Sequence, residues 1–357
     1  MQGIVYKSAH SNIEVPFLFI VGRPRSGTTL LRTIFDAHPH VCIPPECHLI
    51  INLHPRYGKI RQWDEKTILP FYDDLKKQWL FDTWNIKGEN LRSDLLKMAG
   101  ENTFGNICKL VYASHESLFA KKEIRLFGDK NPGYAIYTEK LLKIFPEAKF
   151  IHIIRDYRDN YVSVRDVDFE LPIPSLVVKK WKNFVKRFNR AMEKHPKNHR
   201  VIRYEDLAAD PEYHIRQLCD FTGITFLPEM LEFHNKKDMI EESRAHQLVK
   251  KYHKSLMHRI NTGRIGLWQK QLSIQTVKIA DITAGKTAEL AGYERKYKSF
   301  NPGIYLLALP GIMYAQLLIL LTKIVDRFPY KLRMKILNEW PWRIAKLYLR
   351  VFKRDAI

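Results

Sequence analysis

Short apolar runs alternate with helical stretches along residues 16 to 295 of this 357-residue chain. Phe17 to Val21 and Lys149 to Arg155 are almost continuously apolar, and RLFGDKNP from Arg125 and RVIRY from Arg200 provide two more runs. Continuous apolar runs of strand length indicate strands buried on both faces, as in parallel sheets. The alternation predicts an α/β fold, with a P-loop-type, doubly wound parallel sheet flanked by helices.

The loop between the first predicted strand and the first predicted helix carries the clearest chemical signal. After the strand at Phe17 comes the loop GRPRSG, Gly22 to Gly27, and Thr28 then opens an amphipathic helix that extends to about His38. Backbone N–H groups at a helix N-terminus favour a bound anion. The spacing matches the first half of a Walker A loop, but Thr28 stands where a nucleoside triphosphatase has lysine. The two arginines in the loop therefore indicate a phosphate or sulfate group rather than ATP or GTP chemistry.

Other candidate site residues follow from the predicted sheet. In doubly wound sheets ligands bind beyond the carboxyl ends of the strands. The residues at those ends are Arg25 to Thr29, Asp129 and Lys130, and Arg155. We therefore expect these side chains to share one edge of the sheet.

The C-terminal segment follows a different pattern. Gly303 to Thr322 contains no charged residue over twenty positions, which reaches the length of a membrane span, but Pro310-Gly311 is expected to break or kink it. Cations and apolar residues then alternate at helical spacing over 340–353, which is typical of an interfacial helix on anionic lipid. We expect a catalytic domain over 1–299 and an α-helical appendage over 300–357 on a membrane surface. A buried or homodimer contact and a true span remain alternatives.

The overall composition limits the kinds of binding partner that we expect. The chain has 45% hydrophobic residues and a net charge of +21, which favours a polyphosphorylated cofactor or anionic lipid. No zinc-knuckle or RNP-like motif accompanies the charge, so we expect no nucleic acid partner. Neither a signal peptide nor an N-x-S/T sequon is seen, and four scattered cysteines predict neither a metal site nor a disulfide framework: Cys42, Cys47, Cys108 and Cys219. These features are typical of a cytosolic protein.

Three ordered blocks together resemble the sulfotransferase superfamily, whose enzymes transfer sulfonate from 3′-phosphoadenylyl sulfate (PAPS). They are PRSGTTLL from Pro24, RDYRDNYVS from Arg155, and RYEDLAADP from Arg203. The first block is most similar to the tyrosylprotein sulfotransferases and their bacterial relatives, because RSGTTLLRTIFDAHPHV is followed by Pro45-Glu46. The resemblance implies PAPS as co-substrate, 3′,5′-diphosphoadenosine (PAP) as product, and no metal.

The resemblance also implies a role for each matching residue. The 5′-phosphosulfate contacts would be Arg25, Ser26, Gly27, Thr28 and Thr29. The 3′-phosphate ligands would be Arg155 and Ser163, with Tyr204 also in the cofactor site. Glu46 would be the general base, with His48 as the competing base because an imidazole titrates near neutral pH. Lys130 would be the cation near the transferring sulfonate.

Two departures separate this chain from the secretory-pathway enzymes. Cys42 matches a disulfide-forming cysteine, but the matching partner position is Gly128, and their N-terminal anchor is not seen. We therefore expect a cytoplasmic, bacterial enzyme, peripheral on the inner face of the membrane. Its acceptor would be a hydroxyl, with a lipid or other amphiphile as one candidate. The alternatives are a P-loop kinase for a small molecule and a non-catalytic, membrane-associated nucleotide-binding protein.

Overall fold

The computed structural model describes residues 14–86, 88–236 and 258–337. In this part of the chain the strands are β1 (Phe17–Gly22), β2 (Val41–Cys42), β3 (Gln62–Trp63), β4 (Gly100–Glu101), β5 (Leu126–Lys130), β6 (Lys149–Ile154) and β7 (His199–Arg203). The helices that follow β1 to β5 are α1 (Thr28–Asp36), α2 (Leu49–Tyr57), α3 (Glu65–Lys76), α4 (Gly88–Leu96), α5 (Phe104–Ala113) and α6 (Thr138–Ile144). The remaining helices are α7 (Tyr157–Arg165), α8 (Pro174–Met192), α9 (Tyr204–Ala209), α10 (Pro211–Thr222), α11 (Leu267–Gln271), α12 (Ile274–Ala284), α13 (Thr287–Leu290) and α14 (Pro302–Val325).

The main sheet has five parallel strands in the order β2-β5-β1-β6-β7. All six residues of the central strand β1 are buried, as a strand with neighbours on both sides and helices on both faces requires. The predicted doubly wound α/β sheet with a helical C-terminal region is therefore confirmed.

The chain divides into two compact units. The first comprises Met1–Arg155 and Phe184–Ile265 and contains the whole sheet. The second comprises Asp156–Asn183 and Gly266–Ile357, and there the Tyr157 hydroxyl donates to the buried Asp281 carboxylate, 2.5 Å apart. The domain boundary expected at residue 300 stays a prediction.

Several local features differ from the pattern read in the sequence. The segment after α1 forms the short strand β2, which pairs with β5, and β3 pairs with β4 in an antiparallel ribbon. A 3-10 turn, Pro132–Ile136, precedes α6. The break expected at Pro310-Gly311 does not occur, and α14 is continuous over 24 residues. The predicted helix over 340–353 lies outside the described residues.

Candidate active site

The loop between β1 and α1 is shaped by a close approach of two strands. A Cβ atom at Gly22 would lie 2.4 Å from the carbonyl oxygen of Ile153 on β6, so only glycine fits. The loop then turns with a hydrogen bond from Ser26 N to Arg23 O at 3.2 Å. Arg25 adopts a left-handed conformation with φ of 71°, which is uncommon for a residue with a side chain and is concentrated at functional loops.

The amino end of α1 has features that favour a bound anion. The helix begins at Thr28, as predicted, and its N-cap is Gly27 with φ of 100°. A Cβ atom on Gly27 would lie 2.7 Å from the ring of Tyr204, so this position also excludes other residues. The first turn contains no acidic side chain, and the helix dipole is therefore not offset there.

Arg155 contacts the phosphate loop and two segments that are distant from it in the sequence. It follows β6 and is buried, and its Nη1 donates to the Arg25 carbonyl oxygen at 3.3 Å. Its Nη2 donates to the Arg264 carbonyl oxygen at 2.6 Å, and its guanidinium lies 4.8 Å from the centre of the Tyr204 ring. The structure thus brings together the phosphate loop, Arg155 and Tyr204, three of the elements predicted for the cofactor site.

Ser163 lies on α7, in the second unit, and its predicted pairing with Arg155 stays a prediction. The acidic residues of the same block are engaged in the second unit. The Asp156 carboxylate accepts two hydrogen bonds from the Arg158 side chain, at 2.9 and 2.7 Å. Asp159 accepts from the backbone N–H groups of Gly266 and Trp268, at 2.7 and 2.9 Å. Sequence reasoning missed this role of Asp159.

The predicted catalytic residues are adjacent in space although 84 positions separate them. Lys130 ends β5 opposite Ile20 of β1, and its Nζ lies 2.7 Å from Glu46 Oε2. His48 Nε2 lies 3.5 Å from the other oxygen, Glu46 Oε1. Both candidate bases and the candidate cation therefore form one cluster at the carboxyl edge of the sheet.

Glu46 is held in its charged form. Burial raises the pKa of its carboxyl, but the Lys130 ammonium and the His48 imidazole outweigh that effect and hold the pKa at about 2. The Glu46 side chain is nevertheless 25% exposed, whereas Lys130 is almost fully enclosed. A carboxylate with so low a pKa is a weak proton acceptor while its lysine partner stays in place.

The loop that carries Glu46 is tied to the phosphate-loop helix. Both backbone groups of Ile43 are bound from α1, since Arg32 Nε donates to its carbonyl oxygen at 2.7 Å and its N–H donates to Asp36 Oδ1 at 3.0 Å. The Trp84 indole N–H donates to the Pro45 carbonyl oxygen at 2.8 Å. Sequence reasoning missed these residues, although an Arg and an Asp four positions apart on one helix are a readable pair.

A second set of buried groups fixes the loop from the β5 side. Asn131 Nδ2 donates to the Cys47 carbonyl oxygen at 3.0 Å and to both oxygens of Asp129 at 2.8 Å. The Tyr112 hydroxyl also donates to Asp129. Burial raises the pKa of Asp129 to about 6, against the lowering effect of the Tyr112 and Asn131 hydrogen bonds. Asp129 therefore positions the loop, while Lys130 beside it faces Glu46.

Within the described residues no group of three or more His, Cys, Asp or Glu side chains could hold a metal ion. Cys42 is a buried free thiol, and burial raises its pKa to about 12. The position that would hold its disulfide partner is Gly128, where a Cβ atom would lie 2.7 Å from the Ile43 side chain. The departure from the disulfide-bonded pattern is thus accommodated by packing.

Comparison with known proteins agrees with this architecture. The model of the Sulfotransferase family matches residues 16–229. The chain is 25% identical to a protein-tyrosine sulfotransferase of Drosophila melanogaster over 286 residues, which cover 76% of this chain and 50% of that protein. It is 26% identical to protein-tyrosine sulfotransferase A of Caenorhabditis elegans over 230 residues, covering 62% of this chain and 53% of that protein. The chain thus spans about half the length of these two relatives.

Two solved structures share the fold. The sulfotransferase domain from the curacin biosynthetic pathway superposes with a TM-score of 0.55 at 22% identity, covering 78% of this chain and 98% of that domain. The sulfotransferase domain of the Synechococcus PCC 7002 olefin synthase gives 0.54 at 21% identity, covering 78% and 95%. The family match covers more than half of the chain. The chain therefore belongs to the sulfotransferase family of PAPS-dependent enzymes and is homologous to protein-tyrosine sulfotransferases.

Proposed function

We propose that this chain transfers a sulfonate group from PAPS to a hydroxyl of an acceptor. The observation that carries the proposal is the meeting of two groups of residues at the carboxyl edge of one parallel sheet. The first group is the anion-binding loop with Arg155 and Tyr204. The second is the Lys130–Glu46 pair, in which Lys130 is the last residue of β5, the strand next to β1.

The residues present fit the donor. PAPS carries a phosphosulfate on one side of its ribose and a phosphate on the other, so it needs separate cationic sites. The amino end of α1 with Arg25 would hold one anionic group, and the Arg155 guanidinium, stacked near the Tyr204 ring, would hold another. When bound, the donor supplies an activated sulfonate on a phosphate leaving group.

Lys130 and Glu46 have coupled roles in this proposal. The Lys130 ammonium stabilises negative charge that develops on the leaving phosphate oxygen. As it does so, it ceases to neutralise Glu46, whose carboxylate then becomes a stronger proton acceptor. Glu46 takes the proton of the acceptor hydroxyl, the new bond forms between that oxygen and sulfur, and the bond to the leaving phosphate oxygen breaks with its electron pair. His48, 3.5 Å from Glu46, is placed to receive the proton next.

We further propose an amphiphilic acceptor, such as a lipid, and a position on the cytoplasmic face of the membrane. Both rest on the strongly cationic chain and on its exposed apolar helix α14. The cysteines, all buried free thiols, agree with a reducing compartment. Incubation of the protein with labelled PAPS and a bacterial lipid extract, followed by identification of the labelled product, tests the acceptor. Label confined to a soluble acceptor would contradict this part of the proposal.

Titration calorimetry with PAP tests the donor site independently of the acceptor. We expect Arg155→Ala to weaken PAP binding by about 10- to 100-fold, since hydrogen bonds to charged groups contribute about 1.5–3 kcal/mol. Arg216→Ala is the matched control, because Arg216 lies exposed on α10, where it pairs with Glu212 and lies over the Phe226 ring. Absence of PAP binding by the unaltered chain would overturn the proposal. Turnover of Mg-ATP would overturn it in favour of a kinase.

A further inference from the structure

The helix α14 buries small side chains and exposes large apolar ones, the reverse of the usual arrangement. Its buried positions form a narrow stripe of mostly small residues, Ala308, Gly311, Ile312 and Ala315. Its large apolar side chains are exposed instead, including Leu306, Leu307, Met313, Leu317 and Leu320. A surface helix of a water-soluble protein normally buries its large apolar side chains and exposes polar ones. This helix is therefore suited to apolar surroundings over most of its circumference.

The helix is a fixed part of the second unit. A Cβ atom at Gly311 would lie 2.1 Å from Ser175 Oγ and 3.0 Å from Leu176 N, so α14 meets the start of α8 almost backbone to backbone. It also packs along α12. At its amino end the Asn301 side chain caps the helix by accepting from Ile304 N at 3.0 Å. The exposed leucines are therefore presented by a seated helix.

The exposed arc is wider than one flat protein surface would cover. Tyr305, Leu306 and Leu307 are consecutive and all exposed, and successive helical residues differ by about 100°, so they span about 200° of the helix. Exposed cations lie on both sides of the helix, with Lys296 and Lys298 before it and Lys323, Arg327 and Lys331 at or beyond its end. Cations flanking an apolar segment match the anionic headgroups of a bilayer.

We propose that α14 docks this protein on an anionic lipid bilayer and lies within the boundary between headgroups and hydrocarbon. Its 24 residues measure about 36 Å, enough to cross the hydrocarbon core, so length alone does not decide between lying and spanning. The packing of α14 against the rest of the second unit decides between the two. Helix α14 packs along α12, which carries Lys278 and the buried Asp281, 3.8 Å from Arg158. A spanning helix would carry these charged groups into the hydrocarbon, at high cost.

Flotation of the full chain with vesicles tests this proposal without any enzymatic assay. The probes are vesicles of phosphatidylcholine alone and vesicles with about 30 mol% phosphatidylglycerol. We expect binding to the anionic vesicles that weakens with added salt. The double variant Leu306→Glu/Leu317→Glu places two charges on one side of α14, because positions eleven apart differ by about 20°. We expect it to lose at least about 100-fold in vesicle affinity.

The matched control is Val201→Glu/Tyr213→Glu, which replaces two exposed apolar residues of the first unit and is expected to bind vesicles normally. Far-UV circular dichroism and thermal melting establish that each variant is folded. Vesicle binding that survives in the α14 variant would overturn the proposal. So would resistance to alkaline carbonate extraction, which indicates a span. A homodimer that the α14 variant dissociates, without vesicle binding by the unaltered chain, would show instead that a second copy covers the helix.

Discussion

Two carboxylate–lysine pairs, whose carboxylates lie ten residues apart in the chain, have different surroundings. Asp36 and Lys121 are 1% and 5% exposed, with Asp36 Oδ1 3.2 Å from the Lys121 Nζ. Glu46 and Lys130 are closer, at 2.7 Å, but Glu46 is 25% exposed. In both pairs burial raises the pKa of the carboxyl, and the lysine and other neighbours lower it further than burial raises it.

The difference lies in what else each carboxylate binds. Asp36 accepts from the Ile43 N–H and from the Ser117 hydroxyl, at 3.0 and 2.7 Å, so its oxygens are occupied by fixed groups of the protein. Glu46 contacts two ionisable side chains, Lys130 and His48. A carboxylate fixed by backbone and hydroxyl donors holds the fold together, whereas one that is partly exposed and lies beside an imidazole can exchange protons. We therefore expect the two pairs to fail in different ways.

Glu46→Gln should have the largest effect, and on catalysis. Removal of a general base lowers rates by about 10²- to 10⁴-fold. Glutamine keeps the shape of the side chain but removes the charge that pairs with the buried Lys130, so the melting temperature should also fall. Single-turnover transfer of labelled sulfonate, measured beside a thermal melt, checks both expectations. A rate within tenfold of the unaltered enzyme would assign the base to another residue, with His48→Gln as the next variant.

Asp36→Asn should lower stability without lowering the rate of transfer. It leaves the Lys121 ammonium buried without its charged partner, and breaking a buried pair in this way costs about 3–5 kcal/mol in the free energy of unfolding. The rate per folded molecule should stay close to that of the unaltered enzyme. Urea unfolding gives the first quantity, and activity corrected for the folded fraction gives the second. A loss below about 1 kcal/mol would mean that Asp36 is not the structural member of the comparison.

The sequence predicts the Glu46–Lys130 pair better than the Asp36–Lys121 pair. Glu46 and Lys130 stand in readable segments, a proline-stiffened loop and a strand end, and the sheet edge brings such ends together. Lys121 and Tyr112 lie in segments without a motif. Asp36 lies in the phosphate-loop block, but its contacts with Lys121 and Ser117 depend on how a distant loop packs. Such contacts are set by three-dimensional geometry, which periodicity does not encode.

Gly27→Ala extends the comparison to the other half of the site, with a smaller effect. The new Cβ would lie 2.7 Å from the Tyr204 ring, and φ of 100° is strained for alanine by about 1–2 kcal/mol. We expect lower stability and weaker PAP binding together. Gly223→Ala is the matched control, because φ is 82° there but nothing lies within 4 Å of the added atom. Calorimetry should show reduced PAP affinity for the first variant only, and equal affinities would remove Gly27 from the donor site.

The pH dependence of stability should show the smallest effect and separates the carboxyls by sign. The pKa of Glu46 is about 2 in the folded chain against an ordinary value of 4.5, so the folded state binds fewer protons and stability falls as pH drops from about 4.5 to 2. The pKa of Asp129 is about 6 against 3.8, so its burial has the reverse effect, and stability falls as pH rises from about 4 to 6. The two slopes therefore belong to different residues of one site.

Melting temperatures between pH 3 and pH 7 check this assignment with two isosteric variants. Glu46→Gln should flatten the acid side of the profile, and Asp129→Asn should flatten the decline between about pH 4 and 6. The two titrations are linked, because the negative charge of Glu46 contributes to the raised pKa of Asp129. Glu46→Gln should therefore also move the Asp129 decline to lower pH. A decline that stays in place in that variant would show that Asp129 responds to burial alone and does not sense the charge of the catalytic pair.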